Sequence, residues 1–174
     1  MAYGNYDFGD NDVTMALIKL DINDYETQIS NKQIFYKYGL DAMQYASTKS
    51  AENSEYWLTI LFNERVPKES DPNWQNAFNK FAKARYDGDM AVFKGLDRAQ
   101  SFDKLSEIMA ERRTQRWEKA IKEFTNETEA EISKYTKMLD SAKQKYQRYL
   151  DAAKQKSAKN GCTPNKDDKD QIMF

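Results

Sequence analysis

The 174-residue chain balances 27 basic against 28 acidic side chains, has no histidine and one cysteine, and holds 6 Gly, 3 Pro and 13% aromatic residues. Lacking histidine, it is left without the commonest general base and metal ligand, and every Ser-His or Cys-His nucleophile system is excluded. Cys162 alone can form neither an intramolecular disulfide nor a Cys zinc cluster, and a net charge of −1 gives no global attraction for nucleic acid or an anionic membrane.

Residues 1–10 (MAYGNYDFGD) hold two Gly and three aromatics without a helical period, and are expected to form an extended arm. Nothing basic-then-apolar opens the chain, so a soluble protein made without a cleaved signal peptide is expected, in the cytoplasm or in an assembled particle. Asp10 or Asp12 can cap a helix, and Met15, Ile18, Ile22, Tyr25 and Ile29 follow at steps of three and four, on one helical face. The stripe resumes at Tyr36, Leu40 and Met43, with Gly39 as a weak point. The polar stretch Thr48 to Ser54 is a candidate break. The run Tyr56 to Phe62 fits a buried strand or the last turns of a helix; with no second convincing strand, helix is the reading.

Val66-Pro67 ends this helix, and Ser70 or Asp71 with Pro72 starts another. Trp74, Phe78, Phe81 and Ala82 recur at helical spacing, Asp87-Gly88-Asp89 turns the chain, and Met90 to Leu96 reads as a short helix. Together 72–98 is a helical cap.

From Phe102 to Ala158 there is neither Pro nor Gly. Trp117, Ile121, Phe124, Thr128, Ile132, Tyr135, Leu139, Ala142, Tyr146, Tyr149 and Ala153 fall at alternating steps of three and four, a heptad seam with one stutter at Thr128. A continuous helix over 102–158 would be roughly 85 Å long, so the fold expected is all-α and elongated: a long helical hairpin or small bundle over 11–160. Gly161 suits a helix C-terminus. Residues 161–174 read as an extended tail with an apolar tip.

Residues 1–31 sum to −5 and residues 134–159 to +6. That dipole predicts antiparallel packing of the first helix on the end of the last, bringing the region of Ile18 near Tyr149.

The chemistry-bearing motifs are weak. Asp7-Phe8-Gly9 matches a kinase triplet by letters alone. Asp10-Asn11-Asp12 and Asp167-Asp168-Lys169-Asp170 lack the Gly and distal Glu of a calcium loop. Asn126-Glu127-Thr128 is a glycosylation sequon inside a helix. Arg112, Arg113 and Arg116 with Trp117 form the one basic-aromatic cluster, able to grip phosphate but read as a solvated helix face. Glu123, Glu127 and Glu131 form a carboxylate row, read as the wet side of the long helix. Eleven tyrosines, with Tyr135, Tyr146 and Tyr149 in the seam, suit interfaces as well as cores.

These features predict no catalytic residue, metal or cofactor. They predict a structural or assembly subunit that packs with copies of itself or other proteins, as in a virus particle or secretion apparatus. Tyr3, Tyr6, Phe8, Ile172, Met173 and Phe174 are its candidate partner-binding residues: apolar tips on polar strips. A small helical adaptor or inhibitor of one partner protein is the alternative.

Overall fold

A computed structural model describes residues 11–159. Helix α1 spans Asn11–Arg65, α2 Trp74–Lys83, a 3-10 turn Met90–Phe93, and α3 Arg98–Lys159. No strand occurs among the described residues, so the fold is all-α, with α1 and α3 packed as a helical hairpin. The chain divides into two compact units, one formed by Tyr36–Glu127 and the other by the two flanking stretches, described over 11–35 and 128–159.

In the Tyr36–Glu127 unit the core is aromatic. Leu58, Phe62 and Val66 of α1 and its exit meet Trp74, Phe78, Phe81 and Ala82 of α2, Phe93 of the 3-10 turn and Leu105 of α3. All four apolar positions read from the sequence of α2 are buried. Phe62 is the hub, with ring centroids 6.3 Å from Phe78, 5.7 Å from Phe81 and 4.6 Å from Phe102. Further along, Tyr36 stacks on Phe124 at 5.6 Å, and its hydroxyl lies 3.1 Å from that of Thr125. Gly39 is needed there: a Cβ on it would come within 2.6 Å of the Phe124 ring.

Four boundaries differ from the sequence reading. Thr48 to Ser54 does not break α1. Thr48 donates to the Gln44 carbonyl, Lys49 pairs with Glu52 one turn on, and Ser50, Ala51 and Ser54 are small enough to be half-buried. The expected helix over Met90 to Leu96 is only the turn Met90–Phe93. Asp89 caps it by accepting from the Ala91 amide, and the chain leaves through an extended Lys94 and a left-handed Gly95 at φ 78°. Helix α2 begins at Trp74 rather than at Pro72, because the Asp71 carboxylate accepts from the Asn73 amide and holds those residues in a turn. At α3, Asp97 and Gln100 form a reciprocal capping box: the Gln100 amide donates to Asp97 at 2.8 Å and the Asp97 amide to Gln100 at 3.1 Å. That fixes the start at Arg98, four residues ahead of the expected Phe102.

Arg98 locks the end of α1. Its Nε donates to the Pro67 carbonyl at 2.7 Å, a terminal nitrogen donates to that of Val66 at 2.8 Å, and its guanidinium lies 4.5 Å from the centre of the Phe62 ring. Replacing Arg98 with Met keeps the stem but leaves both carbonyls without these donors. The expected cost is about 1.5–3 kcal/mol in urea unfolding; a cost within about 0.5 kcal/mol, the usual range for a surface change, would show that water replaces the arginine.

In the other unit α1 and α3 run antiparallel. Tyr25 packs on Tyr135 at 6.4 Å, Lys143 pairs with Glu26 at 3.5 Å, and Lys32 pairs with Glu131. The antiparallel sense is the one the charge dipole predicts, but the register differs: carried seven residues outward from Tyr25 and Tyr135, it sets Ile18 level with Ala142, about two turns short of Tyr149. Burial, and then the charge of Asp21, push the Tyr25 phenol above its ordinary pKa. Of the seam positions here, Thr128 and Leu139 are buried, while Ile132, Tyr135, Ala142, Tyr146 and Tyr149 are half-buried. Ala153 is exposed, so the seam fades before the end of α3.

Candidate functional site

The partner-binding residues read from the sequence, Tyr3, Tyr6, Phe8, Ile172, Met173 and Phe174, lie outside the described residues. So do the arm, Asp7-Phe8-Gly9, Gly161 and the Asp167 to Asp170 strip. Two other features stand out: sequence reading passed over the first and took part of the second for a solvated helix face.

The first is the outer face of α1. In the Tyr36–Glu127 unit, Tyr38 is 68% exposed, Tyr45 67%, Tyr56 62%, Trp57 57% and Ile60 37%. From Tyr38 to Tyr45, Tyr56 and Ile60 the steps are seven, eleven and four, each close to a whole number of turns, so the four share one face. The side chains that α1 buries, Leu58 and Phe62, project from the opposite side. Trp57 stands edge-on to Tyr56 at 5.5 Å, widening the patch. Between the tyrosines lie Lys49, 5.8 Å from the Tyr45 ring centre, and its ion-pair partner Glu52. In the other unit α1 repeats the arrangement. Thr14, Ile18 and Tyr25 are buried, while Val13, Leu20 and Ile34 are exposed at steps of seven and fourteen. A surface helix needs one apolar stripe. The second stripe, on the far side, is left exposed among the described residues.

The second is a basic cleft in the Tyr36–Glu127 unit, of about 510 Å³, whose lining includes Arg85, Arg112, Arg113, Arg116 and Lys119 against the single carboxylate of Asp87. Arg112 donates to Asp87 at 2.7 Å and lies 4.8 Å from the Tyr86 ring centre. That hydrogen bond holds the Asp87 carboxyl below its ordinary pKa. Arg85 lies 3.8 Å from the Phe81 ring centre and donates to the Phe81 carbonyl. Burial, and then the neighbouring charge of Arg65, push its pKa down.

Arg113 corrects the reading of this cluster as a solvated face. Arg116 is exposed and Arg112 half-buried, but Arg113 is only 9% exposed and its Nε has no hydrogen-bond partner among the described residues. The signal was present in the spacing. Carried upstream from Trp117 in steps of four, the seam passes through Arg113, Met109, Leu105 and Ser101, and Leu105 and Ser101 are fully buried.

The carboxylate row is a wet face, as its spacing suggests. Glu123, Glu127 and Glu131 are all exposed, Glu123 lies 4.0 Å from Lys119, and Glu131 pairs with Lys32. Among the described residues, no group of three His, Cys, Asp or Glu side chains is placed to hold a metal ion, and no helix is long and apolar enough to cross a membrane. Comparison with protein-family models, with curated proteins and with solved structures returns no match to this chain.

Proposed function

We propose that this chain is a non-enzymatic structural subunit that assembles through the outer face of α1, and that the occupant of this face in the Tyr36–Glu127 unit is a second copy of the chain. The observation that carries the reading is the second apolar stripe on a helix whose first stripe is already buried. Tyr38, Tyr45, Tyr56, Trp57 and Ile60 together expose on the order of 700 Å² per chain. Two copies covering most of it reach the roughly 1,200 Å² at which specific interfaces begin.

Charge favours a copy of the same chain as the occupant. Laid antiparallel with residue 45 opposite residue 56, the face is complementary to itself. Tyr45 meets the copy's Tyr56 and Lys49 meets the copy's Glu52, each contact occurring twice by two-fold symmetry. A parallel pair would instead set Lys49 against Lys49.

Light scattering coupled to size exclusion tests the assembly on the full chain. A mass of two copies or more is expected, and replacing Tyr45 and Tyr56 together with Ser should weaken self-association at least about tenfold, with far-UV helicity unchanged. A single-chain mass up to about 200 μM, far above the range of specific dimers, would overturn self-assembly and favour a monomeric adaptor.

A further inference from the structure

We infer that the basic cleft between Arg85 and Arg116 is a binding site for the phosphate group of a small molecule. This rests on Arg113 and its neighbours, not on the outer face of α1, and stands or falls independently of the assembly described above.

The cleft gathers five cationic side chains and one carboxylate in a chain whose net charge is −1, so the positive potential is local. Its one carboxylate, Asp87, is already taken up by Arg112. Arg113 is nine-tenths buried, and its Nε has no acceptor among the described residues. A desolvated guanidinium without a full set of acceptors is unfavourable unless something brings negative charge and lone pairs to it. The planar donor fork of arginine fits the oxygens of phosphate or carboxylate. A surplus of four positive charges favours the dianion over a single carboxylate.

The cleft also has room for more than an ion. Its volume of about 510 Å³ falls inside the range of small-molecule sites. Ser54 and Gln115 add polar groups to the lining, and Met109 offers an apolar wall. An adjoining recess shares Ser54, Arg113 and Arg116 and adds the ring of Trp117, a flat surface for an organic moiety carrying the phosphate.

The test is thermal melting of the full chain in inorganic pyrophosphate, compared with sodium chloride and sodium sulfate at equal ionic strength. Pyrophosphate at about 10 mM should raise the midpoint by several degrees beyond either salt, since a ligand that binds only the folded state stabilises it. Arg116→Gln, at an exposed position, should fold normally and lose most of that rise. Arg113→Leu should lose all of it and melt higher than the parent chain without ligand, because it removes an incompletely satisfied buried charge. An equal rise in all three salts would reduce the effect to general screening and overturn the site. So would a rise that survives intact in Arg116→Gln, or a ligand-free Arg113→Leu that melts lower while keeping its response to pyrophosphate.

Discussion

Replacing Phe62 with alanine is expected to remove about 3–5 kcal/mol of stability, a large fraction of the 5–15 kcal/mol that holds a domain of this size together. Phe62 is 3% exposed and touches three rings from two other helices. Truncation loses the buried area of the ring and leaves a cavity that Phe78, Phe81 and Phe102 cannot close, because each is fixed by its own packing. The Arg98 guanidinium also loses the ring beneath it. Ile60, two residues away on the outer face, is the control: Ile60→Ala should change the stability of the single chain by no more than about 0.5 kcal/mol. Urea unfolding followed by far-UV circular dichroism separates the two. A Phe62→Ala cost below about 1.5 kcal/mol would mean that the core collapses around the gap and that Phe62 is not its hub.

What the sequence disclosed and what it concealed follow from how each signal is written. Helix α2 is a single apolar stripe, Trp74, Phe78, Phe81 and Ala82, closed by Pro and Gly punctuation, and its core was readable residue by residue. The antiparallel hairpin was readable from charge, since the acidic start and basic end meet at Glu26 and Lys143. The outer stripe of α1 was not. Two apolar stripes on opposite sides of one helix cancel each other's directional signal, so a search for one periodic face finds Ile18 and Tyr25 and passes over Leu20, Ile34 and Tyr38. Arg113 was concealed differently. Its spacing placed it in the seam, but its charge suggested solvent, and chemistry prevailed over periodicity in the reading although not in the fold. The Thr48 to Ser54 stretch misled because Ser and Thr disfavour helix only when their hydroxyls compete with the backbone. Here Thr48 bonds within its own helix, and the small side chains sit where α1 is half-buried.

Reversing Lys49 to Glu, or Glu52 to Lys, should each weaken self-association about ten- to a hundred-fold, and mixing the two variants in equal amounts should restore it to within about threefold of the parent. The reasoning is geometric. In the antiparallel register Lys49 faces the copy's Glu52 at the centre of the interface, twice. Lys49→Glu sets carboxylate against carboxylate in both places, and Glu52→Lys sets ammonium against ammonium. A mixed pair holds two glutamates on one chain and two lysines on the other, so both contacts become attractive. Each variant also loses the Lys49–Glu52 pair within its own helix, 3.1 Å in the parent, but such a pair contributes only about 0.2–0.5 kcal/mol, and far-UV helicity should hardly move. Generic attraction between oppositely charged chains is the competing explanation. It is tested by mixing Glu52→Lys with Lys37→Glu, a reversal on the flank of the same helix that faces neither residue 49 nor residue 52 of the copy; that mixture should not recover. Full recovery in both mixtures would remove the register, and recovery in neither would remove the α1 face as the contact between copies.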